Sequence, residues 1–300
     1  MIVVLGSINL DIVMRPTRLP GPGETVLAPG YAMFPGGKGA NQALAARRAG
    51  AEVAMVGCVG DDDFAVQALA TMREAGVDLS GISTVAGATG AAAIAVDDNG
   101  ENQIVVASGT NQSVSAARFT PSPGDWLLLQ MEIPHAANWE ALAAARAAGM
   151  RTALNLAPAA DIPETALANL DVLIANQIEA ETLARQHRQP VETVAVWIAG
   201  TFELDCIVTL GGAGARAALR DGTQLKATAL PIEPLDTTAA GDAFVGAYVA
   251  TLYAGQGAAD ALRHAIAAGS LACTAEGAQP SLPDAAAIKA AAGRVEVSPA

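Results

Sequence analysis

The chain has 300 residues, and 17 Lys and Arg against 30 Asp and Glu leave a formal net charge of −13. At 52% hydrophobic and only 4% aromatic, a chain of that length builds an aliphatic core in one large α/β domain or two ordinary ones, without disulfide or structural metal. The acidic balance excludes a basic face for phosphates, so no nucleic-acid partner is expected. In chain order, Ile2–Leu5 reads as a buried strand and residues 40–49 as a helix closed by Gly50. Residues 53–56 read as a strand and 64–75 as a helix ending at Gly76. Strand 126–130, helix 139–148 and strand 152–156 follow. Then come strand 172–175, helix 178–186, strand 206–210 and helix 242–253. Continuous apolar strands alternating with helices predict an α/β fold: a doubly wound, mostly parallel sheet with helices on both faces. No repeat or low-complexity linker divides residues 1–300, so a single domain is expected.

Two stretches break that rhythm. Residues 14–34 carry four prolines and read as extended segments, and residues 90–108 read as a hairpin turning at Asn99-Gly100. Together they predict a small accessory sheet over residues 12–36 and 88–110. It could be a lid, a dimer contact or an ordinary edge hairpin.

Cys58, Cys206 and Cys273 are far apart and form no C-x-x-C pair. That excludes a disulfide framework and a cysteine-rich zinc site. His135, His187 and His264 show no metal-ligand spacing. The opening MIVVLGSINL has no basic stretch before its short apolar run, and no apolar run reaches 18 residues. Neither a secretory signal nor a membrane span is expected, and the reducing cytoplasm is the expected setting.

Four constellations carry chemistry. In GSINLD, residues 6–11, Asn9 and Asp11 alternate with Ile8 and Leu10 just after the first strand. In an extended segment both point to one side, at the strand ends where α/β sheets bind ligands. An amide beside a carboxylate suits a polyol; turn chemistry accounts for the pair equally well. In GGKGAN, residues 36–41, three glycines in four positions allow close approach of a ligand. Gly37, Lys38 and Asn41 meet at the mouth of the helix that follows. The spacing is not that of a Walker A loop.

In DTTAAGD, residues 236–242, Ala239, Ala240 and Gly241 leave bare amides at a helix N-terminus, an anion hole. Asp242 is either a cap of that helix or a base that takes a hydroxyl proton during phosphoryl transfer. In TLGGAG, residues 209–214, the glycines invite a dinucleotide reading. The following ARAALRDGTQLKATAL reads as a hairpin about Asp221-Gly222, where that motif requires a helix. A glycine turn flanking a nucleotide stays open.

In this order the pieces resemble the ribokinase family of carbohydrate kinases over essentially the whole chain. DTTAAGDAFVGA, residues 236–247, is similar to the family's second signature. GGKGANQA, residues 36–43, is similar to the first, with a lysine that most of its sugar kinases lack. The resemblance implies a doubly wound sheet with a small β-sheet lid, and ATP-dependent phosphorylation of D-ribose at its 5-hydroxyl. By it, Asn9, Asp11, Gly37, Lys38, Asn41 and Glu132 hold the sugar and Asp242 is the catalytic base. Asn176 and Glu179 match an N-x-x-E motif that tunes Mg²⁺ and phosphate binding. Thr209, Leu210, Gly211, Gly212, Ala213 and Gly214, with Gly241 and Asp242, face the nucleotide. Asp236, Thr238, Ala272, Ala275, Gly277 and Ser281 fall where the family binds K⁺. Three positions depart from the pattern: Leu156 within NLAP, Ala175 before Asn176, and Ile266 near adenine. They bear on the nucleotide. Other readings remain: a kinase for a related pentose or nucleoside such as deoxyribose, a non-catalytic sensor, or a nicotinamide oxidoreductase. An exposed lid edge predicts a homodimer.

Overall fold

A computed structural model describes residues 1–300. The strands in chain order are β1 (Ile2–Leu5), β2 (Asn9–Met14), β3 (Tyr31–Gly36), β4 (Val53–Val59), β5 (Asp78–Thr84), β6 (Gly90–Val96), β7 (Asn102–Ala107), β8 (Trp126–Leu129), β9 (Arg151–Asn155), β10 (Val172–Asn176), β11 (Asp205–Thr209), β12 (Ala215–Ala218), β13 (Gln224–Ala227) and β14 (Val297–Pro299). The helices are α1 (Lys38–Arg48), α2 (Asp63–Glu74), α3 (His135–Ala147), α4 (Glu164–Leu167), α5 (Gln177–His187), α6 (Val194–Phe202), α7 (Ala240–Tyr253), α8 (Ala258–Ala272), α9 (Ala278–Ser281) and α10 (Ala285–Ala292).

Ten strands form one sheet in the order β14-β13-β12-β11-β10-β9-β8-β1-β4-β5. From β11 to β5 the neighbours run parallel; β12, β13 and β14 close one edge antiparallel. Strands β1, β4 and β8 are buried at every residue, because helices cover both faces. One face packs against α1, α2, α7, α8 and α10, the other against α3, α5 and α6. The predicted hairpin about Asp221-Gly222 is β12–β13, so no helix follows the 209–214 turn. No helix is long and apolar enough to cross a membrane.

Helix α3 starts at His135, four residues before the predicted 139. Pro134 precedes it with φ −54°, and proline suits a helix entry because its missing N–H has no intrahelical partner there. Strand β5 and helices α6, α8 and α10 lie in stretches the sequence reading left unassigned.

The small sheet has the order β3-β2-β6-β7, matching the two extended excursions. Only residues 6–8 separate β1 in the large sheet from β2 in the small one. Asn9 lies opposite both Gly36 and Gly90. A side chain at Gly36 would collide with the Asp11 carboxylate, so that glycine makes room for a functional group.

Candidate active site

The site forms where α1 and α7 meet at the carboxyl ends of the parallel strands. Their close packing depends on Gly246, where a Cβ would lie 2.5 Å from Ala45 Cβ and 2.7 Å from Ala46 N. Ala239 caps α7 with φ 59°, a left-handed conformation that costs a non-glycine residue about 1–2 kcal/mol. The first helical bond runs from Ala243 N–H to the Ala239 carbonyl at 2.8 Å, and Ala240 N–H is turned to the Thr237 carbonyl at 3.3 Å. The N–H groups of Gly241 and Asp242 precede that first bond and remain for a ligand at the positive end of the helix.

Asp242, one residue on, is 6% exposed. Its Oδ2 accepts from Asn41 Nδ2 at 3.0 Å and its Oδ1 from Gln42 Nε2 at 2.9 Å. Burial pushes this carboxyl above the ordinary range, against the pull of Lys38, Asn41 and Gln42. A carboxylate so held is a stronger base than a solvated one.

Beside it lies the wall assigned to the sugar. Asn9 and Asp11 are both buried. Glu132, just beyond β8, accepts from Ser7 Oγ at 2.6 Å and from Lys38 N–H at 3.0 Å. Ser7 Oγ in turn accepts from Gly39 N–H at 3.2 Å, which fastens the glycine-rich turn to the β1–β2 junction. The Lys38 ammonium is pushed up chiefly by the Asp242 carboxylate, with Glu132, Glu179 and Asp11 adding to it. It stays charged throughout the physiological range. Asp11 is pushed up to about 7 by burial and by the charges of Glu132 and Asp242.

Three residues that sequence reasoning missed orient this set: Ser7, Gln42 and Asn111. Asn111 follows β7, is 2% exposed, and grips the start of β2 like a strand partner. Its Oδ1 accepts from Ile8 N–H at 2.9 Å, and its Nδ2 donates to Asn9 Oδ1 at 2.7 Å. Asn9 is thereby turned to offer its own N–H groups to the pocket. Nothing in the spacing of TNQS marks Asn111; only the packing of the turn after β7 against the start of β2 brings it beside Asn9.

On the other side of Asp242 a cavity of about 220 Å³ is lined by Lys38, Asn176, Glu179, Thr209, Thr237 and Gly241. Asn176 and Glu179 close the N-terminus of α5 as a reciprocal capping box. Glu179 Oε2 accepts from Asn176 N–H at 2.7 Å, and Asn176 Oδ1 from Glu179 N–H at 2.9 Å. Burial pushes the Glu179 carboxyl up. Gly211, Gly212 and Ala213 are exposed in a single 3-10 turn, with Leu210 before it and Gly214 after it. Ile266 is buried in the core layer of α8.

Asp236 and Gly277, far apart in sequence, are brought together. Asp236 Oδ2 accepts from Gly277 N–H at 2.9 Å, and Oδ1 accepts from Thr238 N–H at 2.9 Å and Thr238 Oγ1 at 2.6 Å. Burial opposes ionisation, but these donors win and hold the carboxyl below its ordinary value. Ala272 is fully buried. Ala275 turns its N–H to the Ala272 carbonyl at 3.5 Å, and the Ser281 hydroxyl donates to the Ala278 carbonyl at 2.9 Å.

A buried carboxylate at the open end of a helix, between a wall of buried polar side chains and a second cavity, suits a phosphotransferase with an alcohol acceptor. The model of the pfkB family of carbohydrate kinases matches residues 1–285, and the chain belongs to that family. A ribokinase of Schizosaccharomyces pombe is 35% identical over 94% of each chain. One from Haemophilus influenzae is 35% identical over 94% of this chain and 95% of its own. Among solved structures, Thermotoga maritima ribokinase superposes with a TM-score of 0.85 at 30% identity, covering 96% of this chain and 98% of that one. Arabidopsis thaliana ribokinase complexed with ribose and ATP gives 0.86 at 28% identity, covering 97% and 98%.

Proposed function

We infer that this protein transfers the γ-phosphoryl group of ATP to the 5-hydroxyl of D-ribose, giving D-ribose 5-phosphate. The observation that carries the reading is Asp242. It is a buried carboxylate flanked by unused amides on α7, with Asn41 of the sugar wall hydrogen-bonded to it. The ribokinase relatives, spanning nearly all of this chain, support ribose as the acceptor.

The geometry supports the following chemistry. Asn9, Asp11, Asn41 and Glu132 hold the ring hydroxyls and leave the 5-hydroxyl facing Asp242. Asp242 takes the hydroxyl proton as the oxygen attacks the γ-phosphorus and the bond to the ADP oxygen breaks. The Gly241 and Asp242 amides and the Lys38 ammonium meet the charge on the moving phosphoryl group, so catalysis is mostly positioning plus electrostatics. Thr209 and the turn at residues 210–214 flank the nucleotide. Mg²⁺ would supply further charge neutralisation there. The oxygen donors of Asn176 and Glu179 at the cavity wall fit a hard ion that keeps several waters.

The test is ADP release with Mg²⁺-ATP across D-ribose, deoxyribose, other pentoses and nucleosides. D-Ribose gives the highest kcat/KM in this reading. A higher value for a nucleoside or deoxyribose, or no sugar-dependent ADP, contradicts it.

The loops at 236–238 and 272–281 fit K⁺. Their carbonyls, with Asp236 and the Ser281 hydroxyl, would hold it, and its part is to keep the loop before α7 in place. At constant ionic strength, so that general screening is equal, KCl activates several-fold over tetramethylammonium chloride. That activation disappears in Asp236→Ala. Equal rates in the two salts contradict the cation site.

This reading also includes a homodimer through the small sheet. Edge strand β7 is exposed at every residue and carries Ile104, Val105 and Val106, an edge that a second copy would cover. A cytoplasmic setting is part of the same reading.

A further inference from the structure

We propose that Gln42 is a positioning residue for phosphoryl transfer: anchored by Asn155, its amide locks the Asp242 carboxylate so that the Oδ2 edge meets the sugar hydroxyl. This rests on Asp242 being the base.

The argument starts from a group whose polarity is fixed. The backbone carbonyl of Ile174 can only accept, and Asn155 Nδ2 donates to it at 3.2 Å. The amide of Asn155 therefore presents Oδ1 on its other side, where Gln42 Nε2 donates at 2.9 Å. The second hydrogen of the same Nε2 goes to Asp242 Oδ1 at 2.9 Å. Every amide orientation in this chain follows from the strand carbonyl, and the last link demands an acceptor. An ionised carboxylate oxygen is the strongest one available.

The chain is largely buried, with Asn155 and Asp242 reaching the cavity wall. Gln42 is 0% exposed, Asp242 6% and Asn155 7%. Gln42 Oε1 has no partner, so the side chain keeps this orientation at the expense of its own oxygen. A neutral amide hydrogen bond would hardly justify burying an unpaired acceptor; one to a charged group is stronger. Gln42 thus holds Oδ1 on the inner side, and Asn41 meets Oδ2 on the side of the sugar wall.

The charged groups facing Asp242 are Lys38 on α1, Asp11 on β2, Glu132 beyond β8 and Glu179 on α5. Gln42 is the uncharged member that favours ionisation without neutralising the carboxylate. A purely structural Gln42, stitching α1 to α7 and β9, would alter stability and leave the proton affinity of Asp242 alone.

The experiment measures kcat and both KM values against pH, with D-ribose and Mg²⁺-ATP, for the wild type, Gln42→Met, Asn155→Ala and Asp242→Asn. Methionine keeps the length of glutamine and removes the N–H groups. Gln42→Met is expected to lower kcat about tenfold, with both KM values within about twofold, because an interaction with the reacting base is lost. The acidic limb of kcat should move up by about one pH unit, because an ionised Asp242 has lost a donor. Asn155→Ala, which keeps Gln42 and frees its anchor, moves the limb in the same direction by less. An unshifted acidic limb in Gln42→Met overturns the proposal, even if kcat falls. If Gln42→Met does not fold, the Asn155→Ala limb decides in the same way. Asp242→Asn separates the two readings. Turnover above a tenth of wild type there overturns the base itself. An inert Asp242→Asn beside an unshifted Gln42→Met overturns only the role of Gln42.

Discussion

Asp242→Asn lowers kcat by about 10²–10⁴-fold while leaving ribose binding measurable, because it removes a general base and little volume. The side chain is buried at the head of α7 and accepts one hydrogen bond on each oxygen, from Asn41 and Gln42. An amide offers only one oxygen, so one of those two donors then faces an NH₂ group. The lost base and the disturbed clamp act in the same direction on turnover. Neither removes Asn9, Asp11 or Glu132 from the sugar wall. Rapid-quench turnover and calorimetric ribose titration of the same preparation check both halves. A variant with more than a tenth of wild-type kcat contradicts the assignment, and so does loss of ribose binding in step with kcat.

Asp11→Ala raises the ribose KM by about 10–100-fold, since a hydrogen bond to a charged acceptor contributes about 1.5–3 kcal/mol, and leaves the ATP KM near wild type. The carboxyl of Asp11 is pushed up to about 7, which adds a pH signature. As pH falls through that value in the free enzyme, the carboxylate gains a proton and loses part of its accepting capacity. The acid side of kcat/KM for ribose therefore falls in the wild type, and this component is missing in Asp11→Ala. Steady-state kinetics over that range measure it. A raised ATP KM with an unchanged ribose KM would reverse the orientation of the site.

The sequence made some of this legible because single residues carried the information. The apolar runs of β1, β8 and β10 marked a covered parallel sheet, and Asn99-Gly100 marked the hairpin of the small one. Asp242 stood out because small residues precede it at a helix start. The rest depends on pairs that chain order hides. Gln42 and Asp242 are 200 positions apart and meet only because Gly246 lets α1 and α7 touch. Asn111 reaches Asn9 by its side chain from the turn after β7, a contact that no spacing rule encodes. The three hydrogen bonds by which the Asp236 carboxylate clasps two loops are hidden in the same way, since Gly277 lies 41 positions away. Helix α6, VAVWIAGTF, is apolar almost throughout, so the contrast between apolar and polar faces that marks a helix is weak there.

The short step from β1 to β2 has a consequence for fidelity. Asn9 and Asp11 ride on the small sheet, whereas Lys38, Asn41 and Asp242 belong to the helical layer on the large one. In the proposed reading a sugar would touch both sets and tie the two bodies together, and a water molecule is too small to do so. Water carries a hydroxyl as able to attack phosphorus as that of a sugar, and an active site rigidly complete at all times would waste ATP by hydrolysing it. On the proposed reading, an acceptor wall divided between two sheets would tie catalysis to an acceptor large enough to reach both, and would disfavour water by geometry.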